Sequence, residues 1–237
     1  MKFWKLASAA AALVLSTSAN AIIISYGGYT HDTDTDIVTG NGLEWLQWDR
    51  TLGEGYNSIQ SQLDTLEGGG WSVASNVQMA QLFNAFDFGI MFDTDETTPQ
   101  SVSTGRSTGD PGTEADEVFI SFFGDINAHL QPNGCRLGDC QSRTSAIFGN
   151  DTNSNGYVNH AIVADDYIND TDILPETRDG FARMDGDTNI IYTTDEASIV
   201  NGVALVREVS AVPVPAAVWL FGSGLLGLIG VARRKKS

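Results

Sequence analysis

Leu43-Glu44-Trp45-Leu46-Gln47-Trp48 (LEWLQW, residues 43–48) puts four large apolar side chains into six positions. Polar and apolar residues alternate as in a half-buried strand, yet Leu46 and Trp48 share the parity of Glu44 and not of Trp45. Side chains of a strand alternate between its faces, so the pattern predicts a strand covered on both sides.

Working outward, Gly53-Glu54-Gly55 reads as a turn, and Tyr56, Ile59, Leu63 and Leu66 recur at offsets that lay one apolar stripe along a helix. Gly68-Gly69-Gly70 stops that helix. Trp71 to Ala74 predicts a short extended piece, and Ser75-Asn76-Val77-Gln78 fits a capping box opening a second helix. Val77, Ala80, Phe83 and Phe86, widened by Met79 and Leu82, form its expected inward face. From Asp93 to Gly112 the polar composition predicts a long loop, while Val118 to Phe123 (VFISFF) predicts a central strand. A strand at Ser145 to Phe148 and closing strands at Asn189 to Thr193 and Gly202 to Val209 complete the reading. No fixed-period repeat occurs, which excludes solenoids and propellers. Strand, helix, helix, then short strands among loops is an α+β order.

These residues carry a resemblance. Thr39 to Leu46 (TGNGLEWL), the Tyr56-x-x-Ile59 helix, Gly69 to Ser75 (GGWSVAS), the helix with Leu82 and Phe83, and Ala204 to Arg207 (ALVR) resemble a group of bacterial exported domains. That group is similar to the C-type-lectin-like domains at the end of collagen-like bacterial adhesins. The resemblance implies two helices packed on short, mainly antiparallel strands. Ser72 stands where the usual pattern has arginine, and Gly40-Asn41 interrupt the opening motif. The shared positions are tryptophans and glycines, which speak for a fold more than for a function.

The ends read as addresses. Lys2 and Lys5, the apolar run Leu6 to Leu15, and Ala19-Asn20-Ala21 make a signal peptide over residues 1–21, with cleavage expected before Ile22. An exported acidic domain then spans 22–210, and a tail spans 211–237. In the tail, Val212-Pro213-Val214-Pro215-Ala216-Ala217 precede an uncharged stretch and then Arg233-Arg234-Lys235-Lys236. Ala216 to Ala232 would span roughly 26 Å as a helix, close to a hydrocarbon core's thickness. The basic end stays cytoplasmic, leaving the domain outside. Proline motif, apolar helix and basic terminus resemble the PEP-CTERM sorting signal of Gram-negative bacteria, in its V-P-x-P-A-A subtype. That resemblance implies an exosortase, an integral-membrane cysteine protease, as the partner that recognises Pro213 to Ala217. The chain would be an intermediate anchored in the inner membrane, then released to the cell surface or into exopolysaccharide. A permanent C-terminal anchor is the competing reading.

Charge narrows the function classes. All 30 acidic residues lie between Ile22 and Ser210, against seven arginines and no lysine, a balance of −23. Such a surface repels a phosphate backbone, so nucleic-acid partners are excluded, and it favours solubility and cations. Cys135 and Cys140 in NGCRLGDCQ have the wrong spacing for a redox pair and too few neighbours for a metal site. In an exported protein they read as a small disulfide ring.

Asp151, Asn153, Asn155 and Asn159 occupy positions 1, 3, 5 and 9 of a calcium loop with Gly156 at position 6, but position 12 is Ile162 where a glutamate is needed. Asp165 or Asp166 is the conceivable substitute; an Asx-rich turn is the favoured alternative. Calcium is thus the one cofactor left open. The runs Asp32-Thr33-Asp34-Thr35-Asp36 and Asp185-Gly186-Asp187 read as solvated loops. His31, His129 and His160 lack metal spacing, and no G-x-S-x-G elbow occurs. The reading is therefore a non-enzymatic exported protein acting in matrix or glycan binding by fold analogy, with a secreted polysaccharide hydrolase as the alternative.

Overall fold

The computed structural model describes residues 22–95, 98–105, 115–126, 139–149, 157–168, 180–186 and 200–209. Within them the chain is α+β and mostly sheet, with few helices. The first sheet begins as a meander of β1 (Ile23–Tyr26), β2 (Tyr29–Asp32), β3 (Ile37–Gly40) and β4 (Leu43–Leu46). Asn41 and Gly42, both at positive φ (51° and 76°), link β3 to β4. With Gly40 paired to Leu43, this is the two-residue Asn-Gly hairpin whose twist matches the strands. Of the two residues that interrupt the opening motif, Gly40 ends β3 and Asn41 opens the turn.

The first helix is shorter than its apolar stripe. Only α1 (Tyr56–Gln60) is α-helical, followed by turns and a single 3-10 turn at Leu66–Gly68. Ser61 and Thr65 hydroxyls donate to the carbonyls three residues back, at 3.1 and 3.2 Å, offering the backbone an alternative to the helical ladder. The stripe still packs inward. Ile59 is buried, and Tyr56, Leu63 and Leu66 lie against the same cluster.

After β5 (Ser72–Val73) the capping box forms as expected: Gln78 N–H donates to Ser75 Oγ at 3.3 Å, and Ser75 N–H donates to Gln78 Oε1 at 2.8 Å. It opens α2 (Asn76–Phe86), whose buried face is Asn76, Met79, Ala80, Leu82, Phe83 and Phe86. Val77 is half exposed. The inward first-turn position belongs instead to the polar Asn76, one residue earlier.

The polar stretch after Asp93 contains a strand, β6 (Gln100–Gly105), and the expected strand at Val118 to Phe123 is a helix, α3 (Ala115–Phe123). A short apolar run has no periodicity of its own to separate the two. Asp116 and Glu117 in the first turn favour a helix N-terminus, and Gly124 at φ 88° ends it, its N–H bonding to Ile120 O. Phe119, Phe122 and Phe123 reach the core together with Phe83 and Phe86. Ring centroids are 4.6 Å apart for Phe119–Phe123 and 4.8 Å for Phe86–Phe119.

The second sheet comprises β7 (Asp139–Phe148), β8 (Asn159–Ile168), β9 (Gly180–Asp185), β6 and β10 (Gly202–Val203), in the order β10-β7-β8-β9-β6. β10 runs parallel to β7 and the other pairs are antiparallel. β7 is longer than its expected core, Ser145 to Phe148. One residue after β10, β11 (Leu205–Glu208) crosses into the first sheet, between β4 and β5. The link between them, Ala204, donates to Ile147 O at 3.0 Å and accepts from Ala74 N–H at 2.8 Å, stitching the sheets together.

The opening LEWLQW stretch is covered on both faces, as its parity predicts. Trp45 lies with Val206 in the large aromatic cluster, whereas Leu46 lies with Leu205 in a second cluster containing Ile59 and Trp71.

Candidate functional site

One end of the second sheet gathers the groups with chemical potential. Phe148 at the end of β7 pairs with Asn159 at the start of β8, and His160 pairs with Asp185 at the end of β9. β6 enters beside them, Gln100 opposite Met184. Asn76, at the start of α2, reaches the same place, because Asn159 Nδ2 donates to Asn76 Oδ1 at 2.7 Å. Gly149, at φ 74°, makes room: a Cβ there would lie 2.7 Å from both amides.

Over this floor the 92–100 segment is held by two side-chain clamps. Asn84 accepts from Phe92 N–H at 2.7 Å and donates to its carbonyl at 3.0 Å; Gln100 does the same to Asp93, at 2.5 and 3.0 Å. Asp93, Thr94 and Asp95 thereby form one wall of a shallow, open cleft. Phe148, Asn159 and the Met184-Asp185-Gly186 end of β9 form the rest.

Beneath the cleft runs a buried polar chain. Arg183 Nε donates to Asp185 Oδ1 at 2.5 Å, and Asp185 Oδ2 stands 3.8 Å from His160 Nδ1. His160 Nε2 faces Asn201 Oδ1 at 3.1 Å, and Ser145 Oγ lies 2.8 Å from that oxygen and 2.7 Å from Val200 O. Serine, histidine and aspartate are all present, but the serine is 1% exposed and its hydroxyl is directed to an amide and a carbonyl. Nucleophilic catalysis needs the serine bonded to its base and open to substrate, so this chain ties β7, β8, β9 and the approach to β10 together.

The acidic motifs fall as follows. Asp185, expected in a solvated loop, is 4% exposed and paired. Of the run from Asp32, the first residue ends β2, Asp34 and Asp36 lie in or beside the following turn, and Asp36 ion-pairs with Arg50 at 3.0 Å. Asn159 is buried in β8, while Asp151, Asn153, Asn155 and Asp187 lie outside the described residues. Ile162 sits within β8, opposite Ser145 and Arg183. Asp165 stands six residues along β8 from Asn159, about 20 Å at strand rise, and so belongs to the far end of the sheet.

Cys140 lies in β7 opposite Tyr167, with Cys135 and His129 outside the described residues. His31 is buried beside Gln47 and Phe122. Asn76, Asp93 and Asp95 carry no site motif in the sequence. The available signal is a polar residue at the first helical position, on the face that the helix buries.

The signal-peptide residues Ala19 and Ala21, the motif Val212 to Ala217 and the basic end Arg233 to Lys236 also lie outside the described residues. Among the described residues no helix is long and apolar enough to cross a membrane. Residues 211–236 match the PEP-CTERM protein-sorting motif. The motif implies an exported, membrane-transiting protein with an exosortase as its processing partner; it covers the tail alone. No curated protein and no solved structure matches the chain.

Proposed function

We infer that this is a non-enzymatic surface protein, delivered by its tail and cut by an exosortase, whose acidic domain binds extracellular matrix or glycan. The observation that carries the reading is the sorting-motif match over residues 211–236. Its physics is consistent with a transient anchor. The basic residues 233–236 hold one end in the cytoplasm, the apolar stretch bridges the membrane, and Pro213 and Pro215 keep the preceding backbone extended for a protease to grip. The signal peptide over residues 1–21 supplies export.

The binding role draws on the sequence likeness to C-type-lectin-like domains, and on a cleft lined by hydrogen-bond acceptors at one end of the second sheet. The buried position of Ser145 supports the non-enzymatic side of the reading.

Intact-mass measurement of the exported protein tests the sorting half. The expected chain begins at Ile22 and ends between Pro215 and Ala217; a mass that includes Ser237 overturns processing and leaves a permanent anchor. A glycan-array measurement with and without EDTA tests the binding half. Retention on a polysaccharide is expected, and release of shortened saccharide products overturns it in favour of a hydrolase.

A further inference from the structure

We propose that the end of the first sheet carrying the Gly27-Gly28 and Asn41-Gly42 turns is the surface this domain sets against its exosortase while the tail is cut. The inference rests on the sorting reading above and gives it a place on the fold. Its starting observation is the last backbone bond among the described residues, Val209 N–H to Gly42 O at 3.2 Å. Val209 is thereby fastened beside the β3–β4 turn, and Pro213 follows four residues later. Four residues reach at most about 14 Å even when fully extended. That is little more than the roughly 10–12 Å width of one helix with its side chains. A protease that grips Pro213 to Ala217 therefore meets this end of the sheet, with room for no more than one helix between the gripped motif and the turn.

The register places the rest of that end. Tyr26, Tyr29, Gly40, Leu43 and Glu208 pair in turn across β1, β2, β3, β4 and β11. The two turns therefore lie side by side, about 10 Å apart at two strand spacings. Gln81 of α2 joins them, its Oε1 accepting from Asn41 Nδ2 at 3.1 Å. Both turns and their flanks, residues 26–29 and 40–43, are uncharged in a span that holds 30 acids, and Glu208 is the one acid of the paired row. The opposite end of the same sheet carries Asp32, Asp34 and Asp36. The neutral end thus stands where the chain leaves for the membrane, and the acidic turn points away from it. Binding to a lipid surface draws on clustered basic residues. The 22–210 span has no lysine, and Arg207, beside Glu208, is committed to Glu44, Glu67 and Gly69. At Gly28 and Gly42 an added side chain would meet nothing within 4 Å, so the rim is low and rich in backbone. Such a rim fits the close approach of an uncharged, hydrogen-bonding protein face, here the exosortase surface beside its cleft, better than a bilayer.

The test is photo-cross-linking of the full chain in the exporting cell, beside an exosortase whose nucleophilic cysteine is replaced by alanine so that bound chain accumulates. A benzophenone-bearing phenylalanine analogue is placed at exposed Gln81 or, on the acidic turn, at exposed Thr33. Both positions face solvent, so the labelled chains should melt within about 2 °C of the parent. Gln81 should give at least about fivefold more exosortase adduct than Thr33, because the short tether raises the local concentration of one end only. Deleting Ser210-Ala211 halves the tether, leaves the proline motif whole, and should slow cutting by active exosortase at least about tenfold through misplacement of the scissile bond. Ser210→Gly/Ala211→Gly, which keeps the length, should be cut at the parent's rate. No excess of adduct at Gln81, adducts there with lipid alone, or a deletion cut as fast as the parent overturns this surface while the sorting reading stands. A parent chain that keeps Ser237 beside active exosortase, read by intact mass, overturns the sorting reading and this surface with it.

Discussion

Arg207 shows what the motif residues are for. Its guanidinium lies 4.2 Å from the centroid of the Trp71 ring, donates to Glu44 Oε2 at 2.6 Å, and reaches the carbonyls of Glu67 and Gly69 at 2.9 and 3.0 Å. One side chain thus joins the opening motif, the Gly-Gly-Trp turn and the last strand, three pieces far apart in sequence. Trp71 is held from the other direction by its own Nε1–H, which donates to Leu66 O at 2.7 Å. A planar fork serves this geometry; an ammonium cannot bond two carbonyls and a carboxylate while stacking on an indole. Arg207→Ala should therefore cost about 2–3 kcal/mol, the sum of a partly screened ion pair, a cation–π contact and two carbonyls left short of a donor. Arg207→Lys should recover less than half of that. Urea denaturation of the two variants checks this: equal stabilities for lysine and arginine would reduce the role to simple charge pairing.

Among the elements, those with a local signature are legible in the sequence and those set by burial alone are not. α2 announces itself through Ser75 and Gln78, a reciprocal bond pair encoded within four residues. α3 does not, since a six-residue run with five large apolar side chains around Ser121 suits a buried strand and a helix sunk in aromatics equally. The acids ahead of the run and Gly124 behind it are the deciding marks. α1 departs in the opposite way: its stripe faces the core as expected, but its serines and threonine bond back onto the chain and the helix stops after Gln60. The Asn41-Gly42 turn has a plain hairpin signature, and its Asn41, with Gly40 of β3, looks like an insertion only beside the related pattern. The candidate site is the least legible part. Asn159 stands out as one position of a loop motif, yet its companions Asn76, Asp93 and Asp95 come from α2 and from a clamp that only Asn84 and Gln100 create. Nothing in local sequence ties these residues together; the sheet register does.

The topology of the whole molecule bears on how it can survive processing. The last described strands are central to the architecture. β10 pairs with β7 in one sheet, and β11 lies between β4 and β5 in the other, with Ala204 bonded to both layers. The final bond of this region, Val209 N–H to Gly42 O at 3.2 Å, ties the chain to the β3–β4 turn only a few residues before Pro213. A protease acting at Pro213 to Ala217 therefore cuts beyond the last stitch among the described residues, and the released domain keeps every described strand. A cut a dozen residues earlier would remove Leu205 and Val206, both buried, and open both hydrophobic clusters at once. A chain ending at Val212 should melt within about 2 °C of the full chain in the same detergent, since every described strand and core residue is kept. A chain ending at Val200 should show no cooperative transition, because each lost large core side chain alone costs about 2–5 kcal/mol against a total stability of about 5–15. Comparing the two melts by circular dichroism decides the matter. Destabilisation of the chain ending at Val212 by more than about 5 °C would mean that the tail contributes to the fold it delivers, and that processing changes the domain as well as its address.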